Sequence, residues 1–155
     1  MSAMSRVLSG VLAALLLVST AVQAQGEDEA AIKAVVADFH RALAEGYRDG
    51  VLKLLMPNAV IFETGYVEAS REQYAAGHLG ADMLYAATVQ REVVHREAVV
   101  SGDLGLVITQ TRNTGEFQGE PVNLTNTETM VLRRSGESWK ILHIHWSGHE
   151  PSAAP

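Results

Sequence analysis

From Tyr85 onward the sequence settles into a period of two and holds it over four long stretches, about 85–100, 104–117, 121–134 and 138–147. Each is far longer than the roughly 5–6 residues of an ordinary strand. The punctuation between them is Ser101-Gly102-Asp103, Gly115 to Gly119, and Ser135-Gly136. Links that short cannot hold a crossover, so consecutive strands must run antiparallel. Long strands twist and curl, and one face of the resulting sheet needs a second layer to bury it.

The residues ahead of Tyr85 supply that layer. From Glu27 to Glu45, Ile32, Val35, Val36, Phe39 and Leu43 recur at helical spacing, with charged residues opposite. Glu27, Asp28 and Glu29 suit the positive end of the helix dipole, and Gly46 is a natural stop. A second helix is expected from Arg48 to Leu55, ahead of Pro57, and "AVIFE" reads as a brief strand. Ser70-Arg71-Glu72-Gln73 has the form of a capping box and should open a third helix running through Tyr74 and His78. Helices followed by a meander define an α+β chain with about three helices over one side of a curved antiparallel sheet.

Alternation sorts the strand residues into faces without saying which face is inside. Leu104, Leu106 and Ile108 share a face with Gln110 and Arg112, and Leu124, Met130 and Leu132 share one with Asn126 and Glu128. These mixed faces are expected to be the inner ones. The threonines Thr125, Thr127 and Thr129, with Val107, Val131 and Trp146, are expected to point outward. In "WKILHIHWSGH", His143, His145 and Ser147 lie on one face, with Leu142, Ile144 and Trp146 on the other.

Residues 1–24 have the order of a secretory signal: one charge at Arg6, an apolar run from Val7 to Val18, then Ala21-Val22-Gln23-Ala24 before the cut. The apolar run is shorter than the roughly 20 residues a spanning helix needs. The expectation is therefore a leader over 1–24, one domain over 25–150 and a tail over 151–155, in a periplasmic or secreted protein without a membrane anchor. Without cysteine, thiol catalysis, thiolate metal sites and disulfides are excluded. Removing Arg6 leaves 11 basic against 18 acidic side chains, scattered without a basic stripe, so no nucleic-acid partner is expected. No P-loop, G-x-G-x-x-G or G-x-S-x-G motif is present, and no nucleotide cofactor is expected.

Two stretches carry a resemblance. "LAEGYRDGVLKLLMPNAVIFE" resembles the passage from first helix to first strand in the nuclear-transport-factor-2-like superfamily, and "GESWKILHIHWSG" resembles the closing strand of its SnoaL-like branch. The second stretch is also similar to the end of the calmodulin-dependent kinase association domain. The likeness runs from Glu27 to Gly148 and implies a cone-shaped, cystatin-like roll with a cavity inside. A broad sheet with its outer face uncovered usually finds a partner, so a homodimer is expected. Set against the ketosteroid isomerases of the superfamily, Glu63 falls where they place a carboxylate base, whereas Phe39 stands where they place a tyrosine donor. A phenyl ring cannot stabilise an enolate, so isomerase chemistry would need another donor, such as Tyr74 or Arg112.

The expected ligand is a small organic molecule, and the expected chemistry, if any, is proton transfer without a cofactor, with Glu63 or His145 as base. Tyr74, His78, Gln110, Arg112, Glu128 and His143 are the remaining candidates for the cavity wall. Arg112 either pairs with Glu128 across the sheet interior or waits for a ligand's carboxylate or carbonyl. A metal alternative would gather His95, His143 and His145 around zinc or copper, since three imidazoles with an open position suit those ions. The bland alternative for the whole chain is an oligomerisation module with no ligand. His40 is expected to flank the first helix's core face and His149 to sit in the tail; neither carries a role.

Overall fold

The computed structural model describes the backbone of residues 3–151 and, ahead of Gln25, no side chain but that of Gln23. The leader read over 1–24 therefore lies largely outside the described side chains, and the tail beyond Pro151 lies outside them altogether. Helix α1, Ala3–Ala44, includes the expected first helix, and α2 follows at Arg48–Leu54. Strand β1 is Leu55–Glu63 and β2 Tyr66–Glu68, followed by α3, Arg71–Ala76, and α4, Leu79–Thr88. The meander is β3, Gln90–Ser101; β4, Leu104–Phe117; β5, Glu120–Ser135; and β6, Ser138–His149. Among the described residues no helix is long and apolar enough to cross a membrane.

The local signals explain most of these boundaries. Gly46 has φ +65°, and the Gly46 and Tyr47 amides donate to Leu43 and Ala42, which closes α1 with a left-handed cap. Ser70 Oγ accepts from the Gln73 amide at 3.1 Å, as a capping box requires. The third helix nevertheless stops at Ala76, because Gly77 breaks it and His78 starts α4. Leu79, Met83 and Ala86 recur at helical spacing, so α4 runs through Thr88 and the first long strand begins at Gln90 rather than at the expected Tyr85.

The six strands form one sheet in the order β2-β1-β6-β5-β4-β3. All neighbours are antiparallel except β1 and β6, which run parallel, so the sheet is a meander closed by an early strand laid beside the last one. Helix α1 crosses the concave face. Ile32, Val36, Phe39 and Leu43 pack there on Val107, Met130, Leu132, Ile141 and Ile144. The helix comes close enough that a side-chain carbon at Gly105 would sit 3.0 Å from Ile32 Cδ1. Gly105→Val should therefore destabilise the fold by about 1–3 kcal/mol, read as a lower urea midpoint at unchanged slope.

The facing of two strands differs from expectation. On β4 the buried residues are Gly105, Val107, Thr109, Thr111 and Asn113, so Leu104, Leu106, Ile108, Gln110 and Arg112 point outward. The more apolar row of this strand faces outward because the inner row must admit α1 at Gly105 and line a polar cavity at Thr111 and Asn113. On β6 the register shifts beside Leu142, leaving Ile141, Ile144 and Trp146 inside and His143 and His145 outside. Trp146 and Val107 are thus inward, whereas Val131, paired with His143 and Leu106, lies on the outer face as expected. The face of β5 carrying Asn126, Glu128, Met130 and Leu132 points inward, also as expected.

Candidate active site

The concave face and the helices enclose a cavity of about 740 Å³ above the core. Its apolar walls include Ala81, Tyr85, Val89, Phe117 and Leu124. Two groups of polar side chains stand apart on them.

The first group surrounds Glu63. This residue closes β1 before a two-residue turn, Thr64-Gly65, in which both φ angles are positive (+47° and +87°). That geometry matches a primed hairpin turn and fixes the glutamate at the cavity edge. Its Oε2 is buried and has no hydrogen-bond partner. Burial, then the negative charge of Asp82, raises its pKa to about 7. Asp82, itself raised chiefly by burial, accepts a 2.6 Å hydrogen bond from the Tyr74 hydroxyl. Burial and the Asp82 carboxylate push Tyr74 upward, so the phenol keeps its proton. His78 Nδ1 pairs with the buried Glu68, and that bond raises the histidine's pKa.

The second group is built around Glu128, whose side chain is 4% exposed. Its Oε2 lies 2.5 Å from His40 Nε2 and accepts the Trp146 indole N–H at 2.8 Å, while Arg91 donates to Oε1 at 3.4 Å. Burial opposes ionisation, but His40, Arg91 and Trp146 together hold this carboxyl well below the usual range. Burial also lowers the pKa of His40, which keeps the imidazole neutral. Register places the two groups: Glu63 pairs with Trp146 on β6 and Trp146 with Glu128 on β5, a separation of two strand spacings, about 10 Å.

The cavity thus gathers Glu63, His78 and Glu128 from the sequence candidates. Tyr74 is fully buried and reaches the cavity only through Asp82. Gln110 and Arg112 are exposed on the convex side, and Glu128 takes Arg91 rather than Arg112 as its arginine partner. His145 is exposed on that same side, and His143 donates to or accepts from no cavity group, its Nδ1 lying 2.8 Å from the Val60 carbonyl. Both histidines pack edge-on against Phe62, at centroid distances of 5.0 and 6.0 Å. The proposed metal set is not assembled: β3, which carries His95, lies three strands from β6, about 14 Å away. Among the described residues no group of three or more His, Cys, Asp or Glu is placed to hold a metal ion.

Sequence reasoning missed Asp82, Arg91, Trp146 and His40 as cavity residues. For His40 a signal existed: it adjoins Phe39 at the edge of the apolar stripe, where a helix meets the sheet. For Arg91 none did, because its facing depends on the register shift between Val93 and His95.

A helix-backed, curved sheet holding an apolar cavity with a desolvated carboxylate at its edge defines the cystatin-like, nuclear-transport-factor-2-like class. Within it, the SnoaL-like domain family matches residues 32–150, and the chain belongs to that family. Among solved structures, a proposed ketosteroid isomerase from Shewanella frigidimarina is 34% identical, with a TM-score of 0.71 over 73% of this chain and 91% of that one. The CaMKII hub of S. rosetta is 20% identical, with a TM-score of 0.68 over 78% of this chain and 96% of that one. A proposed dehydratase from Streptomyces avermitilis is 20% identical, with a TM-score of 0.65 over 83% and 99%. No match was found among curated proteins.

Proposed function

We propose that the cavity binds a small, largely apolar organic molecule and that Glu63 transfers a proton on it, without a cofactor. The observation that carries this reading is the environment of the Glu63 carboxyl, desolvated, unpartnered at Oε2 and poised at a pKa of about 7 beside an apolar wall. A carboxyl tuned to the working pH is half ionised there, which is what a group that both takes and returns a proton needs. The likeness to a proposed ketosteroid isomerase favours an enolisable carbonyl compound as substrate. Of the candidate donors, the Arg91 guanidinium lines the cavity and takes the supporting role, whereas Tyr74 is buried with its hydroxyl donating to Asp82 and Arg112 is exposed on the convex side. Hydrogen–deuterium exchange at the α-carbon of 2-tetralone, followed by NMR, tests the reading. Exchange no faster than in buffer at matched pH would sink it.

A second reading concerns assembly and follows from the outer face. Leu104, Leu106, Ile108, Val99 and Phe62 are all at least 39% exposed there, and none of the described residues covers them. So broad an apolar surface is unusual on a monomer. It supports a homodimer formed through the sheet, and the likeness to a kinase hub domain points the same way. Export with cleavage after Ala24 completes the proposal. Native mass spectrometry of protein expressed from the full sequence in a bacterial host should give a dimer of chains beginning at Gln25. Ile108→Glu should give monomers of the same chain. A wild-type monomer, or a chain retaining Met1, would overturn the corresponding part.

A further inference from the structure

The Glu128 end of the cavity contains more than a buried ion pair needs. Glu128 receives the Arg91 guanidinium and the Trp146 indole, two groups that can only donate, so its carboxylate is ionised and acts as an acceptor. The contact with His40 Nε2 must then be an N–H donation, which fixes the neutral ring as the Nε2–H tautomer and leaves Nδ1 bare. Nδ1 makes no hydrogen bond with any described residue, yet it is not among the buried unpartnered atoms. The ring lines the cavity, with its side chain 17% exposed. Burial is the main influence against a second proton on it; Glu128 pulls the other way, and Arg91 and Arg96 add to the effect of burial. Contacts from β5 and β6 thus hold a ring of α1 at the cavity wall, and no described residue occupies its second nitrogen.

We infer that His40 is a specificity-determining residue whose Nδ1 accepts a hydrogen bond from a hydroxyl of the ligand, at the end of the cavity opposite Glu63. The inference rests on the cavity being a binding site for small organic molecules and narrows the ligand class to alcohols, phenols or enols. An ether or ester at the same position would leave Nδ1 desolvated and unpaired, and a site built for a hydroxyl rejects the analogue that lacks it. Trp146 lies between the two ends and offers its ring as the floor on which a flat ligand spanning them would rest.

The test uses 2-naphthol and its methyl ether, 2-methoxynaphthalene, titrated into the wild-type protein and into His40→Phe and Glu63→Gln. The wild type should bind the naphthol about 3- to 10-fold more tightly than the ether, the worth of one neutral hydrogen bond. His40→Phe should bind both with equal affinity, and Glu63→Gln should keep the preference. Because His40→Phe removes a partner of Glu128 and could disturb the fold, the imidazole nitrogen resonances of the wild type provide an independent readout. Naphthol should shift the His40 Nδ1 signal and the ether should leave it in place. Equal wild-type affinities, a preference that survives in His40→Phe or vanishes in Glu63→Gln, or an unmoved Nδ1 signal would overturn the inference while leaving the cavity as a binding site. Failure of both compounds to bind would overturn the inference and the small-molecule reading together.

Discussion

Glu63→Gln should lower the rate of α-proton exchange on 2-tetralone by at least ~100-fold, the usual cost of deleting a positioned general base. The amide fills nearly the same volume and cannot take a proton, so the loss would report chemistry rather than packing. In the wild type the rate should rise with pH and level off above about 7, because only the ionised carboxyl is a base. Stability should run the other way. The carboxyl's pKa is raised from 4.5 to about 7 on folding, so the native state binds the extra proton between those values. The stabilising contribution of that protonation is fully present below pH 4.5 and is lost as pH rises through about 7. The full shift would correspond to ~3 kcal/mol, but Glu63 is only partly buried, and solvent screening reduces the expectation to about 1–2 kcal/mol. Glu63→Gln should therefore be the more stable protein at pH 8 by that amount in urea denaturation, and no more stable at pH 4. A variant that loses exchange and gains no stability at pH 8 would show that the carboxyl is not desolvated as the structure has it.

The elements most legible in sequence were those set by strong local chemistry. The capping serine at Ser70, the glycine stop at Gly46 and the three glycine-bearing links between long strands each act within a few residues, and the structure puts them where local rules require. Facing was less legible, for a physical reason. Alternation gives two faces, and the choice between them goes to the more apolar one only when the core is uniformly apolar. Here the inner row of β4 must leave room for Ile32 at Gly105 and present Thr111 and Asn113 to a cavity, while leucines at 104 and 106 remain outside. On β6 the extra residue at Leu142 reverses the facing of every position after it, and a bulge leaves no mark in composition. Glu63 could be placed because a resemblance supplied its position. Arg91 and Trp146 could not, since each owes its place to a register shift in its own strand.

The same geometry makes Glu128 the residue whose loss should cost most. Glu128→Ala removes the acceptor shared by Arg91, His40 and Trp146, leaving a half-buried guanidinium and two ring N–H groups without it. Breaking a buried pair from one side typically costs about 3–5 kcal/mol, because the remaining charge stays desolvated and unpaired. Much of that cost belongs to the orphaned arginine rather than to the contact itself. Glu128→Ala combined with Arg91→Leu should therefore recover part of the stability, and a double-mutant cycle should give a coupling of about 1–3 kcal/mol. The pH dependence has the opposite sign to that of Glu63. Glu128 is held below its ordinary value of 4.5 on folding, so its contribution is present above that pH and is lost as pH falls through the depressed folded value. His40, kept neutral by burial, adds to the acid side by losing stability as pH falls below 6.5. In Glu128→Ala the carboxylate's own share of this acid sensitivity should disappear, which urea midpoints taken between pH 3 and 6 would reveal. A loss below about 1 kcal/mol at pH 7, within the range of an exposed pair, would mean that water rather than protein satisfies these donors.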